Sequence, residues 1–400
     1  MSNSKKVLHA IYSLDPKMGG TVEAIVQLLM ANQSSGQVHE IICLDAPGSV
    51  PSSNHPVKVH YLGPAKSFYG YSRAYDKWLE KHIPEYDLAV IHGCWQYHGL
   101  GAFRACKKHR VPYIQYPHGM LDPWFKRAYP LKHLKKWLYW PWAEYRILKN
   151  ANKVVFTSQD ERDLATRSFW LYQVNPQVIP LGIRSPDANL EQFEKDWTSK
   201  HPELKEKKII LFFGRIHPKK GVDLLLDAIR RINLKNDSSY DDSQKYTVLI
   251  AGPCHDSDYL SALKNRLEPG AFEQGPIREV IWMDMVTGND KWGILSNAEA
   301  FILPSHQENF GMVIPESLSC ETPVLISNKV NIWREVTQSE AGLVEDDNVE
   351  GTVALLKKWI QLPRGKKTQM KSNSLKCFHE NFRIEQNAQK LFTLIDQILL

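Results

Sequence analysis

Short apolar runs alternate with amphipathic helical patterns along nearly the whole chain. Each run is followed by a polar turn and then by apolar residues three or four positions apart, a pattern typical of a buried strand followed by a surface helix. The alternation restarts near residue 208 and continues to the C-terminus. The predicted strands are residues 5–14, 40–44, 58–62, 88–91, 112–116, 153–157 and 177–181 in the first half, and 208–213, 246–251, 279–286, 300–303, 324–326 and 342–344 in the second.

Strands that alternate with helices indicate parallel sheets covered on both faces. A chain of 400 residues exceeds the usual limit for one hydrophobic core, so two domains are expected. We predict an α/β protein with two doubly wound, Rossmann-like domains, residues 1–182 and 183–378. The polar stretch 184–202 is interpreted as the linker region. The last segment, 379–400, ends in an amphipathic helix.

Composition is that of an ordinary globular enzyme, with 43% hydrophobic and 24% charged residues. The chain has no apolar run of 18 residues, and its start lacks the apolar core of a signal peptide. Six scattered cysteines without metal or redox spacing favour a reduced compartment, so a cytoplasmic protein is expected. The net charge of +6 suits anionic ligands or an anionic lipid surface, but it is too small to indicate nucleic acid.

The segment 305–318 follows the predicted strand 300–303 and leads into a short helix. Loops at the carboxyl ends of parallel strands are where open α/β sheets bind ligands. Glu308 lies on this loop and Glu316 lies one turn into the helix. Two acids beside a phosphate site suit a ligand that also carries hydroxyl groups, as a sugar nucleotide does. The alternative is that both are ordinary helix-start acids, favoured by the helix dipole.

Two groups of residues in the second half are suited to phosphate. Gly311 lets the backbone approach a ligand closely, and the amides of Met312 and Val313 at the helix start form an anion site. Arg215 and Lys220 follow the strand 208–213, and two cations at that position are suited to neutralising a diphosphate. The order of glycine and lysine differs from that of a Walker loop. The alternative for this pair is a solvated charged face.

In the first half, Gly19 and Gly20 lie between the first strand and the first helix. The third glycine of a dinucleotide fingerprint is missing, so a nicotinamide-dependent oxidoreductase is disfavoured. His118 follows the strand 112–116, at the position of a ligand residue, although a single histidine is often structural. His92, Trp95 and His98 follow the preceding strand and are candidates for an acceptor pocket.

The segment 124–149 combines aromatic and basic residues. Aromatic rings interleaved with lysine and arginine are typical of an element that lies in a membrane interface. The alternative is a core-facing helix with a solvated basic face. Stacking on single-stranded nucleic acid is a poorer third interpretation, since no nucleic-acid motif accompanies the segment. The residues concerned are Trp124, Phe125, Tyr129, Trp137, Tyr139, Trp140, Trp142 and Tyr145, with Lys126, Arg127, Lys132, Lys135, Lys136, Arg146 and Lys149 among them.

Asp256 and Asp258 superficially match a metal-binding pair of acids. They lie among residues that commonly cap helices, directly before an apolar helical pattern, so we interpret them as a helix N-terminus. No metal site is predicted.

The Glu308-Asn309-Phe310-Gly311 run with Glu316 resembles the E-x7-E motif of the family 4 retaining glycosyltransferases, which have the GT-B fold. The Gly-Arg-x5-Gly pattern at 214–221, with lysine before the second glycine, resembles that family's diphosphate clamp. The Gly-Gly pair after the first strand and the His-Gly pair at 118–119 are also similar. The resemblance therefore covers nearly the whole chain.

This resemblance implies two Rossmann-like domains facing a central cleft, with the final helix crossing back to the first domain. It implies no metal and no cofactor other than a nucleoside diphosphate sugar as co-substrate. The implied catalytic residues are His118, Arg215, Lys220 and Glu308. The implied donor-binding residues are Gly19, Gly20, Arg215, Lys220, Met283, Met285, Glu308, Phe310, Gly311, Met312, Val313 and Glu316.

The implied reaction moves a hexose to a hydroxyl group with retention of configuration. UDP-glucose is the first choice of donor and GDP-mannose the second. The His-Gly-Met-Leu-Asp-Pro-Trp run from His118 and the basic aromatic segment resemble transferases of bacterial exopolysaccharide and repeat-unit assembly. These act on polyprenyl-diphosphate-linked saccharides at the inner membrane face. The competing hypotheses are a sugar-nucleotide epimerase or hydrolase on the same fold, and a non-catalytic sugar-nucleotide sensor.

Overall fold

The structure is a computed structural model that describes residues 4–16, 19–31, 36–49, 57–186, 189–234, 245–267, 272 and 275–400. The chain divides into two compact units. The first domain contains residues 1–182 and 384–400, and the second domain contains residues 183–383. The predicted boundary at 379 falls inside the last helix of the second domain.

Among the described residues, the first domain has a seven-stranded sheet in which all strands are parallel. Its strands are β1 (Lys5–Ala10), β2 (Gln37–Cys43), β3 (Lys58–Tyr61), β4 (Leu88–His92), β5 (Tyr113–Tyr116), β6 (Lys153–Phe156) and β7 (Pro176–Val178). Their spatial order is β3-β2-β1-β4-β5-β6-β7. The central strand β4 is buried throughout, which agrees with a parallel sheet covered on both faces.

The helices of the first domain follow its strands, and their starts carry side-chain caps where the sequence offers them. Ser72 accepts a hydrogen bond from the N–H of Tyr75, and Ser158 accepts one from the N–H of Glu161. The helices are α1 (Gly20–Met30), α2 (Arg73–His82), α3 (Tyr97–His109), α4 (Trp124–Ala128), α5 (Pro130–Tyr139), α6 (Glu144–Asn150) and α7 (Gln159–Ala165).

The second domain repeats this architecture with a parallel sheet that has six strands within the described residues. The strands are β8 (Ile209–Phe213), β9 (Tyr246–Ala251), β10 (Ile277–Met283), β11 (Ala298–Leu303), β12 (Val324–Ser327) and β13 (Gly342–Glu345), in the order β10-β9-β8-β11-β12-β13. The helices are α8 (Leu190–Lys200), α9 (Val222–Asn233), α10 (Ser257–Lys264), α11 (Asn289–Ser296), α12 (Val313–Ser319), α13 (Trp333–Gln338), α14 (Val349–Gln361) and α15 (Arg364–Asn381).

Each predicted strand corresponds to an observed strand, which confirms the two doubly wound sheets. The first strand is shorter than predicted, because the chain turns after Ala10 toward the carboxylate of Asp45. The Ser13 hydroxyl and the Leu14 N–H donate to that carboxylate over 2.6 and 2.7 Å. The predicted linker contains α8 and is therefore partly helical.

The strand order reverses between β1 and β4 in the first domain and between β8 and β11 in the second. Ligands of open α/β sheets bind outside the carboxyl ends of the strands at such a reversal. The loop after β1 carries Gly19, and β4 ends at His92. The loops after β8 and β11 carry Lys220 and Glu308. The strand order therefore puts predicted site residues at the reversal of each sheet.

The last helix, α16 (Ile384–Leu399), belongs to the first domain. Its apolar face, which includes Leu391 and Ile395, packs in one cluster with Val7 and Val90 of the sheet. Its C-terminal part is also held by an ion pair of 2.9 Å between Lys5 and Asp396. Nonpolar burial over several turns, rather than the single exposed ion pair, accounts for most of this attachment.

A search of the described residues for a long, apolar helix that would cross a bilayer finds none.

Candidate active site

In the second domain, two predicted segments meet beyond the carboxyl ends of β8 and β11. The Ser305 hydroxyl and the His306 N–H both donate to the carbonyl of Lys219, over 2.8 and 2.9 Å. The two strands are neighbours in the sheet, so their following loops start side by side. The structure therefore brings the cation loop 214–221 and the acid loop 305–312 together.

Two glycines permit this close approach. Gly221 has a φ of 72°, and a Cβ added there would lie 2.1 Å from the carbonyl oxygen of Pro304. Gly311 has a φ of 68° and lies between Glu308 and α12. Both positions need a left-handed backbone that glycine adopts without strain. Met312 directly precedes α12, and Val313 is its first residue.

Lys220 and Glu308 form a hydrogen-bonded ion pair between the two loops. Burial alone would raise the pKa of the Glu308 carboxyl. Attraction from Lys220, Lys219 and Arg215, with the hydrogen bond from Lys220, outweighs burial and holds the pKa below its usual value of 4.5. The carboxylate is therefore charged at neutral pH and holds the ammonium group of Lys220 at the loop surface.

The backbone around Glu308 is held on both sides. Its N–H donates to the carbonyl of Lys329 over 2.9 Å, and its carbonyl accepts from the N–H of Asn331 over 3.0 Å. These contacts make a short parallel bridge with the segment after β12. The position of the Glu308 side chain is thus set by the fold as well as by Lys220.

Glu316 lies on α12, is buried, and pairs with Lys291 of α11 over 2.9 Å. The Lys291 ammonium also lies 4.4 Å from the ring centroid of Trp292. Sequence reasoning did not select Lys291. It stands 25 residues before Glu316 in an ordinary polar helix start, so no local signal separates it from other surface lysines.

The other predicted donor residues of the second domain differ in exposure. Arg215 is exposed, Met283 ends β10 and is partly buried, and Met285 is exposed. The Phe310 ring is buried and contacts Phe382 edge to face, with centroids 5.7 Å apart. The Phe310 side chain is therefore part of the core, and only its backbone is suited to ligand binding.

Asp256 accepts a hydrogen bond of 2.9 Å from the N–H of Tyr259 and caps α10. This confirms the interpretation of that acid as a helix cap. Across the described parts of the chain, no group of three or more His, Cys, Asp or Glu side chains is arranged to hold a metal ion.

In the first domain, Gly19 directly precedes α1, whose first residue is Gly20. Its φ is 96°, and its N–H donates to the carbonyl of Pro16 over 3.0 Å. A Cβ at Gly19 would meet no atom within 4 Å, so the backbone conformation, not crowding, favours glycine there.

His118 follows β5 and has a φ of 50°, which is uncommon for a residue with a side chain. The next residue holds it there, because the Gly119 N–H donates to the Glu161 carboxylate over 2.5 Å. Glu161 is buried and also accepts from the N–H and the hydroxyl of Thr157. Sequence reasoning missed Glu161; the Ser158-x-x-Glu161 capping pattern was the signal that marks it.

The three acceptor candidates are placed differently. The His92 ring is buried beside His118, and both rings line a small pocket. His98 is buried on α3, with Nε2 at 2.7 Å from the carbonyl of His92, so its ring is a structural group rather than a surface contact. Trp95 is partly exposed, and its backbone N–H donates to the Glu144 carboxylate over 2.6 Å. The acceptor role of the three residues remains a prediction.

The segment 124–149 divides into two parts. Helix α6 buries Ile147 and Leu148, as the core-facing alternative predicts, whereas α5 has no buried residue. Leu131 is 78% exposed and Trp142 is 71% exposed. Trp170, from the loop after α7, extends the surface, with its ring centroid 5.9 Å from that of Trp137. We call this the α5 surface; its apolar residues are Leu131, Leu134, Trp137, Leu138, Trp142, Trp170 and Leu171.

Two doubly wound domains, with polar side chains on loops at the reversal of each sheet, define an α/β protein built to bind a ligand at its strand ends. Two family models match the chain. Residues 19–182 match "Glycosyl transferase 4-like domain", and residues 193–376 match "Glycosyl transferases group 1". Each of the two matched segments is therefore similar to a glycosyltransferase domain.

Curated relatives named as glycosyltransferases also match the chain. An uncharacterized glycosyltransferase of Methanocaldococcus jannaschii is 24% identical over 259 residues, 62% of this chain and 58% of the relative. A D-inositol 3-phosphate glycosyltransferase of Jonesia denitrificans is 25% identical over 213 residues, 51% of this chain and 47% of the relative. The chain thus spans about half the length of the curated relatives it matches.

Among solved structures, Anabaena HepE in complex with UDP and glucose has a TM-score of 0.74 at 16% identity, covering 98% of this chain and 100% of the other. The sucrose-phosphate synthase of Thermosynechococcus elongatus has a TM-score of 0.75 at 18% identity, covering 98% and 99%. At these identities the likeness establishes the fold. Together with the domain matches, it supports a family 4 glycosyltransferase with the GT-B fold.

Proposed function

We propose that this protein transfers a hexose from a nucleoside diphosphate sugar to a hydroxyl group of a lipid-linked saccharide, with retention of configuration. UDP-glucose is the proposed donor, and GDP-mannose is the alternative. The observation that carries the proposal is the meeting of the Lys220 loop and the Glu308 loop through the shared carbonyl of Lys219. The HepE complex with UDP and glucose supports the choice of donor, by analogy of fold.

The chemistry follows from the charges on these loops. The leaving diphosphate gains negative charge as the glycosidic bond breaks, and Arg215 and Lys220 stabilise that charge by electrostatic preorganisation. Lys220 is held by Glu308, so a phosphate group competes with this carboxylate for the ammonium group. Glu308 is then available to accept hydrogen bonds from sugar hydroxyls.

Retention is proposed to follow a front-face route, in which the departing phosphate accepts the proton of the attacking hydroxyl. A double displacement requires a carboxylate beneath the anomeric carbon. None of the proposed site residues is assigned that role. His118 is proposed to contact the donor sugar or the acceptor, as its family resemblance implies. No metal ion or further cofactor is included in the proposal.

The test is a calorimetric panel of UDP, GDP, ADP and their sugars, with Glu316→Gln and Lys220→Ala alongside. Glutamine keeps the size of the Glu316 side chain but removes the charge that holds Lys291. Tight binding of one nucleotide that is weakened in both variants, and kept in Lys219→Ala, supports the donor site. Absence of binding by every nucleotide in the panel rejects the transferase proposal.

An epimerase or hydrolase on the same fold is distinguished by its products. Such an enzyme consumes the sugar nucleotide without an acceptor and releases free sugar or an epimer at high turnover. A transferase leaves the donor largely intact until an acceptor is added. Incubation of the donor alone, followed by chromatography of nucleotide and sugar, separates the two.

We further propose that the α5 surface binds an anionic membrane, which places the protein at the cytoplasmic face of the inner membrane, near a polyprenyl-diphosphate-linked acceptor. Leu131, Leu134, Trp137 and Leu138 of this surface lie on α5, which also exposes Lys132 and Lys135. Apolar side chains flanked by cations suit the boundary between acyl chains and anionic headgroups. Lys136 is not one of these exposed lysines. The residue is only partly exposed, and its ammonium group lies 4.6 Å from the Trp95 ring centroid.

Flotation with phosphatidylglycerol-containing vesicles tests this contact, with phosphatidylcholine vesicles as the comparison. Reversing the charges of Lys132 and Lys135 to glutamate should weaken binding about tenfold or more, since each basic residue contributes about 1 kcal/mol at such a surface. The matched control reverses Lys77 and Lys81, two exposed lysines of α2 in the same domain. Equal losses in both double variants, or no retention of the native chain, reject the contact.

A further inference from the structure

Four histidine rings form a continuous chain across neighbouring strands of the first domain. Nδ1 of His39 lies 2.9 Å from Nε2 of His9, and Nδ1 of His9 lies 3.0 Å from Nε2 of His92. Nδ1 of His92 in turn lies 3.0 Å from Nε2 of His118. Every link therefore joins Nδ1 of one ring to Nε2 of the next, and the chain ends at the predicted site residue His118.

The parallel sheet produces this arrangement. His39, His9 and His92 lie on β2, β1 and β4, which are adjacent strands, and His118 follows β5. The rings of His9 and His92 are stacked with centroids 5.3 Å apart, as are those of His92 and His118. Side chains on one face of adjacent strands stand close enough for such pairs.

These rings are uncharged at neutral pH. Burial lowers the pKa values of His39 and His118 to about 4. Burial, with repulsion from the neighbouring histidines, also lowers the pKa values of His9 and His92 well below 6.5. A neutral imidazole carries one proton, on one of its two nitrogens. Since each link needs one donor and one acceptor, the protons of the four rings lie either all on Nδ1 or all on Nε2.

The surroundings of His39, at the end of the histidine chain opposite His118, distinguish the two arrangements of the ring protons. Nε2 of His39 is buried and has no hydrogen-bond partner among the described residues. The neighbouring Phe392 ring, with its centroid 5.4 Å from that of His39, is apolar. Protons on Nε2 would leave a buried N–H without an acceptor, whereas protons on Nδ1 leave only an acceptor without a donor. Buried orphan N–H groups are the rarer of the two.

We propose that His39, His9 and His92 are positioning residues that fix His118 in the tautomer with its proton on Nδ1. In this arrangement Nε2 of His118 accepts from Nδ1–H of His92. Nδ1–H of His118 remains as the group that donates to a substrate oxygen, either a hydroxyl oxygen of the sugar or an oxygen of the diphosphate. This role rests on the proposed function, in which His118 contacts the donor or the acceptor.

The three linked histidines give His118 a property that an isolated histidine lacks. A solvated imidazole exchanges between its tautomers and gains a second proton near pH 6.5. A ring whose Nε2 already accepts a hydrogen bond within a neutral chain keeps one orientation of its dipole. An N–H donor that is fixed before the substrate arrives requires no reorganisation during the reaction.

The tautomers are measured directly by nitrogen-15 NMR of the full chain labelled at histidine, near pH 7.5 and without substrate. Signals are assigned from their loss in single His→Gln variants. We expect a protonated Nδ1 and an unprotonated Nε2 at all four rings. A protonated Nε2 at His118 overturns the proposal, as does rapid averaging of its two nitrogens.

Two variants at the far end test the positioning role. His39→Leu removes the donor to His9, so we expect both tautomers at His118 and a loss of about fivefold to tenfold in kcat/KM, the value of one buried hydrogen bond. His39→Asn restores a donor near the position of Nδ1, so we expect the native His118 tautomer and activity close to native. An unchanged His118 tautomer in folded His39→Leu overturns the positioning role.

If the His39→Leu variant does not fold, the proposal is tested by the His39→Asn variant and by the NMR spectrum of the native protein. There, a mixed tautomer at His118 in His39→Asn contradicts the proposal. Absence of sugar transfer by the native chain rejects only the proposed function, because the ring tautomers are read without substrate.

Discussion

Two glutamates, the buried Glu144 of the first domain and the largely buried Glu308 of the second, show how differently the domains treat charge. Burial raises the pKa of Glu144 to about 7, and the hydrogen bond from the Trp95 N–H and the attraction of Lys136 offset this only in part. Burial also acts to raise the pKa of Glu308, yet the contact with Lys220 reverses the direction. A cation in direct contact thus decides whether a buried carboxyl is neutral or charged.

The same difference extends to the predicted site residues. At the sheet reversal of the first domain the polar groups are neutral histidines linked to each other. At the reversal of the second domain they are the ion pairs Lys220–Glu308 and Lys291–Glu316. Neutral donors and acceptors suit hydroxyl groups, whereas a cation held by an exchangeable partner suits a diphosphate. The two sheet reversals therefore differ in the chemistry of the groups that they present.

The largest expected difference between the domains is in acid. Folded His39, His98 and His118 have pKa values of about 4, while the unfolded chain binds protons at its histidines near pH 6.5. The unfolded state therefore holds more protons between these values, and stability falls as the pH falls from 6.5 toward 4. At pH 5 each group costs about 2 kcal/mol, so the first domain should lose several kcal/mol.

The measurement is hydrogen exchange at pH 7 and pH 5, corrected for intrinsic rates. Amides of β1 and β4 should lose protection at pH 5, while those of β8 and β11 keep it. Glu308 has a lowered pKa, so its contribution is present above pH 4.5 and is lost only as the pH falls through its folded pKa. Equal losses in both sheets at pH 5 would remove the contrast between the domains.

Glu144 predicts the opposite pH dependence. Its folded pKa of about 7 exceeds the unfolded value near 4.5, so its favourable contribution is fully present below pH 4.5 and is lost as the pH rises through 7. Glu144→Gln keeps an oxygen for the Trp95 N–H and does not ionise. Between pH 5 and pH 8 the variant should gain about 2 to 3 kcal/mol relative to the native chain.

Urea unfolding at the two pH values measures this gain. The control is Glu85→Gln, which changes an exposed carboxylate of the same domain. A gain of similar size in the control would show that general surface charge, not the burial of Glu144, sets the alkaline limit.

Lys220→Ala tests the charged side of the comparison. Removing one preorganised cation from a developing negative charge should lower kcat/KM about 100-fold. Lys219→Ala makes the same change in net charge one residue earlier and keeps the backbone carbonyl that joins the two loops. It should retain activity within a few-fold. Steady-state kinetics with the donor found by calorimetry measures kcat/KM for both variants. Equal losses of kcat/KM would mean that the net charge of the loop, not the contact of Lys220, sets the rate.

The smallest expected effects come from the side chains that tie the loops to each sheet. Glu161→Ala leaves the N–H groups of Gly119 and Thr157 without their acceptor, which should cost about 2 kcal/mol of unfolding free energy. Ser305→Ala in the second domain removes one hydroxyl donor to the Lys219 carbonyl, which keeps the His306 N–H, and should cost about 1 kcal/mol. Denaturant unfolding measures the loss of unfolding free energy in each variant. A larger loss in Ser305→Ala than in Glu161→Ala would contradict the expectation.

Much of the fold was predictable because buried strands and surface helices leave periodic patterns. Each predicted strand appeared, Glu308 and Gly311 fell on a strand-end loop, and Glu316 fell on the helix that follows, as expected. The cap at Asp256 was also correct, since caps depend on neighbours within one helical turn. The ligand contacts of His118, Arg215 and Glu316 remain predictions, and the binding panel tests the contact of Glu316.

Other features had no local signal. Lys291 is paired with Glu316, and Trp170 extends the α5 surface, only because distant segments pack together. His9 and His39 look like single histidines in apolar strands, and 30 residues separate them. Burial of the Phe310 ring likewise depends on Phe382, which lies 72 positions further along the chain. Pairings at such separations follow from strand order, which hydrophobic periodicity does not specify.

The sequence by itself determined the two α/β domains, the glycines at strand-end turns and the kinds of charged residues near them, because periodicity, backbone conformation and side-chain chemistry are properties of neighbouring residues. The tertiary structure decided which charges are neutralised, which histidines are linked and which apolar side chains stay exposed. These properties depend on desolvation and on contacts between residues far apart in the chain.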